Sequence, residues 1–234
     1  MKILYFNNGS GLGTAKSGGT TRLIETARHF LKSGNKVKIV TTIGAYKLFR
    51  KERLNTDFLV LKSSIFRNYE SGNLDRIISY VISTIHSLMS LSKMGNYDVV
   101  YSCSDYFCDV IPAVLYKKKY KKKYISMIHH LSKPPRERKG NYLINSISYY
   151  FQKISHLIIK KYSDLIFLYD TDEGRLIAKN FPNNKIKYVA NGIDFDLINS
   201  IYVEERKKYA ETVVKNFWQS MGGDENEIAD LDQD

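Results

Sequence analysis

A chain of 234 residues, 43% of them hydrophobic, can bury one large core or one and a half ordinary ones. Its two cysteines, Cys103 and Cys108, lack zinc-ligand spacing, no run reaches the roughly 20 apolar residues of a membrane span, and the N-terminus lacks the basic and apolar regions of a signal peptide. The formal charge of +12 is uneven: residues 204–234 carry nine acids and four bases, and the rest carries 32 bases and 15 acids, a body of +17 suited to phosphorylated substrates, acidic membranes or nucleic acid.

Those exclusions leave a reduced cytoplasmic protein, peripheral at most to the inner membrane face. In chain order, Ile3-Leu4-Tyr5-Phe6 reads as a first strand, and five glycines between Gly9 and Gly19 make a turn before a helix that begins at Thr20 or Thr21. Such a turn presents free backbone N–H groups to an anion, so phosphate binding is the first functional expectation. The loop is neither a dinucleotide fingerprint nor a Walker A loop. The sixth position is Thr14 counted from Gly9 and Lys16 counted from Gly11, and Ala15 stands where glycine precedes Lys-Ser.

Leu23, Ile24, Ala27, Phe30 and Leu31 recur at helical spacing up to a stop at Gly34, and residues 36–42 alternate as a second strand. Residues 58–61 form a third strand. A helix over 74–94 carries Ile77, Ile78, Val81, Ile82, Ile85, Leu88 and Met89 opposite four serines. Strand 98–102, a helix over 106–116 interrupted near Pro112, strand 124–128 and a helix over 142–161 follow. Strand 164–169, a short helix over 173–180 and strand 186–189 complete the pattern. Seven strands alternating with helices imply parallel crossovers, hence an α/β fold with a Rossmann-like parallel sheet covered by helices on both faces. Ligands of such sheets bind beyond the C-terminal strand ends. Gly18, Gly19, Ser104, Asp105, His129, His130, Asp170 and Thr171 share that rim.

The frame Ser17-Gly18-Gly19 before an arginine-bearing helix, followed by Lys32-Ser33-Gly34-Asn35-Lys36-Val37-Lys38-Ile39-Val40-Thr41, resembles the opening of family 4 glycosyltransferases of the GT-B fold. Tyr97-Asp98-Val99-Val100-Tyr101, Ile128-His129-His130, Tyr162-Ser163-Asp164-Leu165-Ile166 and Val189-Ala190-Asn191-Gly192-Ile193-Asp194 are similar to successive landmarks of that family, in the same order. The resemblance implies that residues 1–196 are the acceptor-side half of a GT-B enzyme. A nucleotide-sugar donor, a substrate rather than a cofactor, would sit mainly on a second such domain.

Only about forty residues follow Asp194, too few for that domain. Glu204 and Glu211 fall one residue short of the Glu-x7-Glu motif that the resemblance leads one to look for there. The expectation is therefore one half of a transferase: a truncated chain, a disrupted gene product or one subunit of a split enzyme, inactive alone and relying on a donor-half subunit. Residues 197–221 read as a linker and a helix packing back through Tyr209, Val213, Val214, Phe217 and Trp218. Residues 222–234 read as a disordered acidic tail. The resemblance marks His129 as the catalytic candidate, near the transferred sugar. Gly18, Gly19, Thr20, His130, Asp170, Thr171 and Asn191 are the substrate-binding candidates, with Asp170 and Thr171 also readable as a helix cap. The transfer it implies is retaining, no catalytic base is named, and no metal site is expected.

The run from Lys117 to Lys123 precedes a strand, opposite the cleft, and reads as a solvated turn rather than a nucleic-acid grip. With the stretch from Lys133 to Lys139 it offers an anionic lipid surface as a partner. Pro134 and Pro135 mark a flexible acceptor loop. The expected partners are thus a nucleotide-sugar and a glycan or lipid-linked acceptor, with nucleic acid unlikely. The alternatives are a non-catalytic sugar- or nucleotide-binding module and a basic membrane- or nucleic-acid-binding protein.

Overall fold

A computed structural model describes residues 1–9, 18–61 and 73–189. The glycine turn from 10 to 17, Asn191, the segment 197–221 and the tail 222–234 lie outside the described residues. All seven expected strands are present: β1 (Lys2–Asn7), β2 (Lys36–Thr42), β3 (Asp57–Leu61), β4 (Val99–Ser102), β5 (Lys123–Met127), β6 (Leu165–Tyr169) and β7 (Ile186–Val189). They form one sheet in the order β3-β2-β1-β4-β5-β6-β7, with every neighbouring pair parallel. The helices are α1 (Gly18–Lys32), α2 (Ile43–Lys51), α3 (Asn73–Met89), α4 (Phe107–Tyr120), α5 (Tyr142–Tyr162) and α6 (Asp172–Ala178).

Central strand β1 shows why both sheet faces need cover. Ile3 and Tyr5 point into a core with Leu23, Ile24 and Ala27 of α1 and Phe49 of α2. Leu4 and Phe6, on the opposite face, join Val110 and Ala113 of α4, Ile159 of α5 and Ile177 of α6. Side chains alternate along a strand, so a strand buried on both faces reads as a continuous apolar run.

Three local features depart from the sequence reading. The nine-residue α2 goes unassigned there, and it buries Gly44, Ala45, Leu48 and Phe49. Helix α3 ends at Met89, and a 3-10 turn, Leu91–Lys93, takes up the remainder. It turns Ser79, Ser83 and Ser87 inward and leaves Val81, Ile85 and Met89 exposed. Helix α4, expected to break near Pro112, runs unbroken. Proline has no N–H to give the carbonyl four residues back, and that carbonyl, on Cys108, accepts instead from the Asn8 side-chain amide at 3.0 Å.

The lysine run lies at the N-terminal edge of β5, as expected, but forms the last turn of α4 rather than a free turn. Lys121 caps that helix in the left-handed conformation, and Lys117 pairs with Asp164 at 2.8 Å.

Candidate functional site

Strand order reverses beside β1: β2 and β3 lie on one side, and the chain then crosses to β4 on the other. The crevice of an open α/β sheet forms at such a switch, beyond the C-terminal strand ends. Here Asn8 and Gly9 leave β1 while Cys103, Ser104 and Asp105 leave β4. Asp109, in the first turn of α4, ties the two together. Its carboxylate accepts from the Asn8 N–H at 2.5 Å, the Gly9 N–H at 3.2 Å and the Ser104 hydroxyl at 2.5 Å. Burial raises its carboxyl to about 7 against the pull of these three donors. Gly9 is needed by close approach, because a Cβ there would lie 2.6 Å from Cδ2 of Tyr106.

Around the crevice the expected residues divide. Gly19, at the start of α1, lines one small cleft with Arg22, Thr26, Tyr101, Cys103 and His129. Helix start and imidazole therefore meet, as the shared rim requires. Gly18 is exposed in open space and Thr20 is buried. His129 Nε2 lies 2.7 Å from the Cys103 carbonyl and Nδ1 lies 2.9 Å from the Tyr169 hydroxyl. A carbonyl only accepts, so Nε2 carries the proton and Nδ1 accepts from Tyr169. Burial lowers the imidazole's pKa, although the Cys103 carbonyl and Asp105 oppose that shift. Arg22 lies over the Tyr169 ring, 3.8 Å from its centroid, and burial lowers its pKa. A neutral imidazole with both nitrogens engaged is a positioning and hydrogen-bonding group, ready to act as a base only if Tyr169 lets go.

The remaining candidates stand further along the rim. His130 is exposed and binds Glu173 at 3.0 Å, and the same carboxylate receives the Leu131 N–H. Asp170 pairs with Arg175 through two hydrogen bonds of 3.0 and 3.2 Å. Thr171 is the N-cap of α6, its hydroxyl accepting from the Gly174 N–H at 3.1 Å. These positions have the structural partners that a cap and a rim ion pair supply.

The candidate residues drawn from sequence pass over Asp109, Arg22 and Tyr169, and over the partners of Asp105, which was placed on the rim. Asp105 is buried and accepts from Gln152 at 2.7 Å and His156 at 2.8 Å. Burial pushes its carboxyl up, but those two bonds, with the nearby His156 and His129, hold it below the usual range. One signal was available for Arg22, which follows Gly18-Gly19 by three residues. None marks Asp109 or His156, whose partners lie far away in the chain.

The family model for Glycosyltransferase Family 4 matches residues 16–197. The chain belongs to glycosyltransferase family 4. No curated protein matches the sequence. Among solved structures, the described half of a GT-B fold is similar to Anabaena HepE in complex with UDP and glucose, at 12% identity and a TM-score of 0.54, covering 84% of this chain and 46% of that one. It is also similar to Arabidopsis thaliana UGT89C1 complexed with UDP-L-rhamnose, at 14% identity and a TM-score of 0.56, covering 83% and 52%. This family 4 chain thus spans about half the length of these relatives. Its described sheet is the Rossmann-like half of the GT-B fold.

Proposed function

We propose that this family 4 chain is the acceptor-binding half of a glycosyltransferase. The enzyme moves a sugar from a nucleotide-sugar to a glycan or lipid-linked acceptor, and the donor is held mainly by a domain outside the described fold. The observation that carries the reading is the meeting of Gly19, Arg22 and His129 in one cleft at the C-terminal strand rim of a family 4 sheet. In the transfer, the bond from the anomeric carbon to the donor phosphate breaks and the nucleoside diphosphate leaves with the electron pair. A bond to the acceptor oxygen forms, and its proton passes to the departing phosphate. His129 is the candidate catalytic residue, orienting a sugar hydroxyl; Gly18, Gly19, Thr20, His130, Asp170, Thr171 and Asn191 are carried as substrate-binding positions. The UDP and glucose named with one solved relative and the UDP-L-rhamnose named with the other support this donor class.

An anionic membrane surface is a further proposed partner, supported by the basic body. Among the described residues no helix is long and apolar enough to cross a membrane. The test uses the full chain on a glycan array that includes lipid-linked oligosaccharides, with UDP-glucose, UDP-GlcNAc and GDP-mannose titrated by calorimetry. Capture of a glycan that is lost in His129→Ala, with weak nucleotide-sugar binding, is the expected result. Sugar transfer by the chain alone would overturn the half-enzyme reading. Tight oligonucleotide binding with a steep salt dependence would overturn the sugar reading.

A further inference from the structure

The two helical layers differ in what they show to solvent. Among the described helix residues, α1 and α2 expose one large apolar side chain, Ile43. Helices α3 to α6 expose ten, including Ile85, Met89, Leu143, Ile154, Leu157 and Leu176. Within that second layer, α5, α6 and the loop after β5 enclose a groove of about 730 Å³, in the size range of sites for small organic ligands. Leu157, Leu176 and Phe181 form apolar wall, while Lys133, Lys153 and Lys160 bring positive charge. The acid in the lining, Glu173, is already held by His130 and the Leu131 N–H. None of the three lysines pairs with a carboxylate among the described residues.

We propose that this groove binds one long-chain lipid phosphate, the chain against Leu157, Leu176 and Phe181 and the phosphate on the lysines. Apolar walls give a free phosphate nothing, and lysines without a carboxylate partner give a neutral lipid nothing, so the lining matches a ligand with both parts. The surrounding surface agrees. Exposed Leu157 and Leu176 are both groove wall and members of the apolar layer, and Tyr142 and Tyr150 are also exposed on α5. Apolar residues with lysines and tyrosines at their edge are the composition of a surface lying at lipid headgroups, from which a single lipid can enter. The groove also reaches the rim, because Gln152 in its wall donates to Asp105 and to the His130 carbonyl. The inference deepens the sugar-transfer reading and rests on it in one respect, that the bound lipid is the tail of the acceptor.

The test titrates the full chain with geranylgeranyl monophosphate below its micelle concentration, with geranylgeraniol and inorganic phosphate as the partial probes. The expected result is one site per chain that prefers the lipid phosphate to either partial probe by roughly tenfold or more. Lys153→Gln combined with Lys160→Gln weakens it by about tenfold, as does added salt, with the melting temperature unchanged. Leu176→Glu has the same effect, and should that variant fail to fold, the pair of exposed lysines carries the test. Equal affinity for geranylgeraniol, equal affinity for inorganic phosphate, displacement by a glutamate-rich peptide, or unaltered affinity in the lysine variant would overturn the proposal. His129→Ala is expected to leave lipid binding intact. For the unaltered chain, lipid binding without any glycan capture would refute the acceptor reading alone, and glycan capture without lipid binding would refute the groove alone.

Discussion

Asp109→Asn tests whether the clamp at the mouth of the glycine turn titrates near neutrality. The carboxyl lies buried at the tip of β1, and burial lifts it from 3.8 to about 7. Between those values the folded protein holds a proton that the unfolded chain has released, so stability falls as pH rises and levels off above about 7. At ~1.4 kcal/mol per pH unit the whole window is worth ~4 kcal/mol, and the part above about pH 5 is worth ~3 kcal/mol. Asparagine keeps an oxygen for the Asn8 and Gly9 N–H groups and has no charge to bury. Urea unfolding at about pH 5 and about pH 8 is therefore expected to show wild type losing ~3 kcal/mol more than the variant across that interval. His129, with its lowered pKa, acts in the opposite sense: below about 6.5 the unfolded chain takes the proton first, so stability falls as pH falls. Both proteins share that contribution, and it cancels in the difference. Equal pH slopes for the two proteins would refute the reasoning.

Three further outcomes follow from distances at the rim. Gly9→Ala places a methyl 2.6 Å from Tyr106 Cδ2 and 3.0 Å from Ser104 Oγ, and is expected to cost ~1–3 kcal/mol in thermal or urea unfolding; an unchanged midpoint would contradict it. Gly174→Ala drives a Cβ to 1.9 Å from the Tyr169 carbonyl oxygen and is expected to cost more than Thr171→Ala, a lost N-cap worth ~1 kcal/mol; the reverse order would show that the turn yields freely. Tyr169→Phe removes the hydroxyl that donates to the neutral imidazole of His129, so the titration midpoint of that ring, followed by proton NMR, is expected to rise. A midpoint that stays or falls would mean that the Tyr169 bond does not hold the neutral form.

Much of this architecture is written in short-range pattern. Ile3-Leu4-Tyr5-Phe6 reads as the first strand of a sheet covered on both faces, and it is buried on both. The helical stripe of Leu23, Ile24 and Ala27 reads as a buried face, and it is one. Such signals survive because a strand or helix is selected by neighbours one to four residues apart. Alternating strands and helices then require parallel crossovers, which gather Gly19, His129 and Asp170 on one rim.

What periodicity does not carry is the pairing of distant segments. Asn8 and Asp109 stand 101 positions apart, and only the place of β4 beside β1 brings them to 2.5 Å. The same strand order lets Asn8 satisfy the carbonyl that Pro112 leaves free, so α4 continues where the proline by itself argues for a break. The face that α3 buries was likewise open to the fold. Ser79, Ser83 and Ser87 pack inward while Val81, Ile85 and Met89 face out, because burial is decided by the neighbours a face meets and not by that face's composition. The sequence alone determined the class of fold, its family and the rim on which the candidate residues lie. The tertiary structure decided which side chains meet there, since contacts between remote residues depend on strand order and no local pattern encodes it.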